Sequence, residues 1–164
     1  MIKKDIPFAV EIYSSSEELN DSDTKLLDRA RAITINAYAP YSNFCVGAAA
    51  ILTNGTIVTA TNQENASYPV GICAERVLLS AIASQYATAA IITMAISYDN
   101  VKGESKTPIS PCGICRQSLT EYEERTHQPI RIILSGLTGE VYIIEKARHL
   151  LPLSFTAADM ENTQ

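Results

Sequence analysis

Ile91-Ile92-Thr93-Met94-Ala95-Ile96-Ser97 is a nearly continuous apolar run, short enough to be a strand buried on both faces. Such a strand has no solvent side, so its sheet must be covered above and below. The surrounding pattern supplies the covers. Asp23 to Tyr38 reads as a helix with an apolar stripe of Leu26, Leu27, Ala30, Ile33, Ile35 and Ala37. Asn20, Asp21 and Ser22 are its candidate caps, and Pro40 ends it. Val46 to Leu52 and Thr56 to Thr61 read as a hairpin turned at Asn54-Gly55, the dipeptide that best accepts positive φ. A second helix is expected from Cys73 to Gln85, with Val77, Leu78, Ala81 and Ile82 inward. A third is expected from Cys112 to Glu123, behind a first-turn proline at Pro111. Strands at Ile130 to Ser135 and Val141 to Ile144 follow, then a short helix near Glu145 to Leu151. This alternation fits an α/β sandwich, a mixed sheet covered by helices. Residues 1–22 lack a clear period and read as an N-terminal extension.

Charge and hydropathy exclude several functions. Thirteen Lys and Arg against eighteen Asp and Glu leave a net charge of −5, and no basic run is present to neutralise phosphates. Long nucleic acid is excluded as a partner. No apolar stretch approaches the ~20 residues that span a bilayer, so a membrane is excluded too. Glu11 interrupts Ile6-Pro7-Phe8-Ala9-Val10 before a signal-peptide core can form. A cytoplasmic, reducing location is expected, where Cys45, Cys73, Cys112 and Cys115 are ligands, nucleophiles or core residues before they are disulfides.

Three of those cysteines share a pattern. Cys73-Ala74-Glu75-Arg76 opens one helix and Pro111-Cys112-Gly113-Ile114-Cys115-Arg116 opens another. Cys112 and Cys115 are three apart and point from one helix face. Helix N-termini carry partial positive charge, which favours thiolates. Three thiolates suit Zn²⁺ and leave its fourth tetrahedral position for water. Glu75 is then the candidate base for that water, and Arg76 or Arg116 can offset the excess negative charge on sulfur. Two plainer readings stand beside this one. The CxxC pair alone suits redox chemistry, and a structural zinc would take a fourth ligand from Cys45, His127 or His149. Cys45 otherwise reads as a small buried hydrophobe, and both histidines as solvated.

The chain closely resembles the short-form cytidine deaminase family across residues 23–160. The resemblance rests on Tyr38-Ala39-Pro40-Tyr41-Ser42-Asn43-Phe44, Val46-Gly47-Ala48-Ala49 and Asn62-Gln63-Glu64-Asn65-Ala66-Ser67-Tyr68. Both cysteine motifs and Leu150-Leu151-Pro152-Leu153-Ser154-Phe155 continue it in order. It implies a three-layer α/β/α catalytic domain with a mixed five-stranded sheet, and hydrolysis of cytidine or 2′-deoxycytidine to the uracil nucleoside and ammonia. It also implies one Zn²⁺ per subunit on Cys73, Cys112 and Cys115, with Glu75 shuttling protons and Arg76 neutralising the thiolates. Asn62 and Glu64 would read the ribose, Phe44 and Phe155 would flank the base, and main-chain groups of Ala74 and Ser110 would hold it. Tyr68 would order the loop beside them. Short-form members form homotetramers whose sites are completed across interfaces, so Phe155 is expected to serve a neighbouring subunit.

Overall fold

The computed structural model describes residues 1–161. Its elements in chain order are β1 (Glu11–Tyr13), α1 (Asp21–Ile33), β2 (Phe44–Leu52), β3 (Ile57–Thr61), α2 (Ala74–Gln85), β4 (Ile91–Asn100), α3 (Gly113–Thr126), β5 (Arg131–Ser135), β6 (Val141–Ile144) and α4 (Ala157–Glu161). A 3-10 turn, Ala147–Leu150, joins β6 to the C-terminal segment. The strands form one mixed sheet of order β1-β6-β5-β4-β2-β3, in which only β4 and β5 pair in parallel.

The sheet has six strands rather than the expected five. Glu11–Tyr13, inside the segment read as an extension, pairs antiparallel with Val141–Ile143 and becomes the edge. Three residues carry too little alternation to be seen as a strand in the sequence alone; the open edge of β6 supplies the pairing.

Residue parity assigns the two faces. Ala48, Ala50, Met94, Ile96, Ile132 and Leu134 pack against Leu78 and Ile82 of α2 and Leu119 of α3. Ala49, Ala95 and Ile133, one position along, pack against Leu26, Leu27 and Ala30 of α1. Apart from Ile92, which is 42 % exposed, the apolar run through β4 is therefore buried on both sides. Asn54-Gly55 turns the hairpin with Gly55 at φ +81°. Gly47 lets α1 approach closely, since a Cβ there would collide with the Ala30 carbonyl oxygen.

The helical stripe ends earlier than its periodicity suggests. Asn20 caps α1, its side chain accepting from the Asp23 amide at 3.0 Å. After Ile33 the chain tightens into a 3-10 turn, Thr34–Asn36, which rotates Ile35 outward to 86 % exposure. The short helix expected near Glu145 is likewise a 3-10 turn, and α4 is an addition. No helix among the described residues is long and apolar enough to cross a membrane.

Two connections place the site. β3 and β4 both run antiparallel to β2, so they point the same way. The helices that leave their C-terminal ends, α2 and α3, consequently begin at the same end of the sheet and on the same face. That is the end where ligands gather in open α/β sheets.

Candidate active site

Cys73 and Cys112 are the N-cap residues of α2 and α3, and neither sulfur caps its own helix. The sulfurs turn to each other instead. Cys73 Sγ lies 3.8 Å from Cys112 Sγ, which lies 3.6 Å from Cys115 Sγ, and all three fall within 4.8 Å. Tetrahedral zinc with Zn–S bonds of about 2.3 Å places its sulfurs about 3.8 Å apart, so the donors fit one ion in both chemistry and spacing. Among the described residues this is the one cluster of potential metal ligands, and it holds three rather than the four of a structural site. Cys45, His127 and His149 take no part in it. His127 is instead the left-handed C-cap of α3 at φ 51°, and Cys45 is half-buried.

The cluster is electrostatically asymmetric. Cys73 is lowered to about 6, chiefly by its hydrogen bond with Cys115 and least by the charge of Arg76. Cys115, fully buried, is raised, first by the same hydrogen bond and then by burial. Glu75, at the second position of α2, is only 5 % exposed, and burial pushes its carboxyl pKa upward. An acid–base group working near neutrality requires that direction.

A pocket of about 320 Å³ opens over these groups, lined by Val46, Asn62, Glu64, Tyr68, Cys73, Ala74, Glu75, Ile109, Ser110 and Cys112 among others. Gln63 explains how the polar pair arrives there. Its amide and carbonyl both pair with Ile72, at 2.9 and 3.0 Å, laying Asn62 and Glu64 beside the chain that enters α2. The Asn62 side chain clips β2, accepting from the Val46 amide at 2.7 Å and donating to the Phe44 carbonyl at 2.9 Å. Glu64 accepts from the amides of Tyr41 and Ser42 at 2.8 and 3.3 Å. Its pKa is lowered, first by the Ser42 hydroxyl, so it stays anionic. Tyr41 and Ser42 stand in the sequence as part of a recognisable segment, but no spacing rule marks their amides as the carboxylate's holders.

Three expected residues do not line that pocket within the single chain. Phe44 stacks on Tyr98, centroids 4.7 Å apart and planes 14° from parallel. Phe155 is 61 % exposed. Arg76 lines a groove between α2 and α3 with Glu121 and Arg125. Its amide donates to the Cys73 carbonyl at 3.1 Å, while among the described residues its guanidinium does not reach the sulfurs by a hydrogen bond. Arg116, the alternative cation, donates to the carbonyls of Pro111 and Leu150 at 2.8 and 3.0 Å rather than to sulfur.

Two helix starts that converge three thiols on a buried carboxyl, under a pocket with polar walls, define a zinc hydrolase rather than a redox pair. The comparisons narrow that class. Residues 20–128 match the model of the cytidine and deoxycytidylate deaminase zinc-binding region. The cytidine deaminase of Halalkalibacterium halodurans is 37 % identical over 126 residues, covering 77 % of this chain and 88 % of that protein. The crystal structure of cytidine deaminase from Burkholderia pseudomallei superposes with a TM-score of 0.69 at 35 % identity, covering 84 % of this chain and all of that one. That from Mycobacterium tuberculosis gives 0.63 at 29 %, covering 84 % and 98 %. The chain belongs to the zinc-dependent cytidine deaminase family.

Proposed function

We propose that the protein hydrolyses cytidine and 2′-deoxycytidine to uridine and 2′-deoxyuridine, releasing ammonia, within a catalytic domain spanning residues 23–160. The observation that carries this reading is the buried Glu75 carboxyl in one pocket with Cys73, Cys112, Asn62 and Glu64. Cys73, Cys112 and Cys115 would hold zinc, which when bound would supply the Lewis acidity that makes water a nucleophile near neutral pH. Glu75 takes one proton from the attacking water and passes it to ring N3. It then takes the second proton from the new C4 hydroxyl and delivers it to the amine, which leaves as ammonia while the C4 carbonyl forms. Its raised pKa suits a group that must hold a proton between these transfers. A placed acid–base group is worth about 10²–10⁴ in rate.

The remaining pocket residues orient the nucleoside. Glu64, kept anionic by its neighbours, accepts from a ribose hydroxyl, and the Asn62 amide, rigid on β2, retains one N–H for the same group. Main-chain groups of Ala74 and Ser110 hold the cytosine amide edge. Phe44 and Phe155 flank the ring, Phe155 from a neighbouring subunit of a homotetramer, which accounts for its exposure in one chain. The positive charge of Arg76 favours the Cys73 thiolate and offsets its negative charge through space. A cluster that works as thiolates belongs in a reducing compartment such as the cytoplasm. The test is Glu75→Gln. Loss of cytidine absorbance should fall by about 10²-fold or more while zinc content is kept; unchanged turnover would remove Glu75 from the reaction.

A further inference from the structure

The metal-bearing helix α3 also grips the chain's C-terminal segment. Arg116 donates to the Leu150 carbonyl at 3.0 Å, and Gln117, on the next residue, donates through Nε2 to the Phe155 carbonyl at 2.8 Å. The four residues between these anchors carry a strained turn. Leu153 sits at φ 58°, a left-handed conformation costly for a branched side chain, and is 92 % exposed. A segment with no helix or strand of its own, an unfavourable dihedral and exposed side chains has little internal reason to hold one shape. The Gln117 bond holds the segment's far end at the Phe155 carbonyl itself.

We propose that Gln117 is the positioning residue for Phe155, fixing the backbone that presents this ring to the nucleobase. The inference rests on the reading of Phe155 as a base-flanking residue. Without the bond the ring samples several placements, and apparent affinity falls by the fraction of time it is misplaced. One neutral hydrogen bond corresponds to a population shift of about three- to tenfold.

The experiment is steady-state kinetics with cytidine on zinc-loaded Gln117→Met, Gln117→Lys, Phe155→Ala and the double variant Gln117→Met/Phe155→Ala. Methionine keeps length and helix propensity but donates nothing, whereas lysine restores a donor. KM should rise about three- to tenfold in Gln117→Met with kcat and zinc content kept, and should recover in Gln117→Lys. In the Phe155→Ala background Gln117→Met should add nothing, which a merely structural role would not produce. If Phe155→Ala raises KM and Gln117→Met does not, this inference fails while the reading of Phe155 stands. If Phe155→Ala leaves KM unchanged, that reading fails and takes the inference with it. A Gln117→Met variant that loses zinc or kcat acts on the metal helix and overturns the assignment.

Discussion

Glu123→Ala removes an acceptor shared by three residues from two parts of the chain. The Glu123 side chain is fully buried, with 0 % exposure. It accepts from the Ile130 amide at 2.8 Å, the Ala147 amide at 2.9 Å, the Arg148 amide at 3.3 Å and Arg148 Nε at 2.8 Å. Ala147 keeps a second partner, the Ile130 carbonyl at 2.8 Å, so the orphaned buried donor is the Ile130 amide. One unsatisfied buried N–H costs about 1–3 kcal/mol. The Arg148 side chain is 45 % exposed, so its ion pair adds under about 1 kcal/mol after screening. The space left by the carboxyl adds about 1 kcal/mol more. The sum, about 3 kcal/mol, corresponds to a fall in Tm of about 6–12 °C for a domain of this size. Calorimetric unfolding of the zinc-loaded protein at pH 7, with zinc content measured alongside, reads it directly. Arg148→Ala should cost less than about 1 kcal/mol, and Glu123→Gln should fall between, since its amide oxygen still serves Ile130. Equal losses in Arg148→Ala and Glu123→Ala would refute the reasoning, because the cost would then lie in the ion pair and not in the buried amide.

Cys112→Ala leaves two thiolates for the metal, and the purified variant should lack stoichiometric zinc and turnover by metal analysis and absorbance assay; full zinc content would mean another ligand completes the set. Glu64 has a folded pKa below its ordinary value, so its charge persists as pH falls through about 4.3 and is lost only lower. Cytidine binding to Glu75→Gln, followed by calorimetry, should accordingly stay level down to that range, and Ser42→Ala should move the decline to higher pH. Gly47→Ala drives a methyl into the Ala30 carbonyl and the Ile33 side chain, and should lower stability by about 2–3 kcal/mol in urea unfolding. A wild-type midpoint would show that α1 can shift away at little cost.

Local patterns were readable where the physics is local. Asn54-Gly55 specifies its turn through φ, and Asn20 its cap through one side-chain bond. The pairing of Cys112 with Cys115 follows from helical spacing. The β4 run demanded a buried central strand, and it is one. Ile35 misled because the change from α to 3-10 winding depends on the contacts around Thr34, whose hydroxyl bonds the Arg31 carbonyl at 2.8 Å. β1 was invisible because a three-residue edge strand exists only through its partner.

What the amino-acid order carried alone was the inventory: three cysteines able to hold a metal, a carboxyl two residues from one of them, and the segments that alternate. Where those groups meet is a property of the sheet. Cys73 and Cys112 are 39 residues apart, and they touch because β3 and β4 run in one direction and release their helices at one end. Burial of Glu75 arises from that same convergence, and the backbone clips on Asn62 and Glu64 come from β2 and the loop that precedes it. A pKa depends on every neighbour in three dimensions, so the tuning of the site waits for the fold, whereas its ingredients do not.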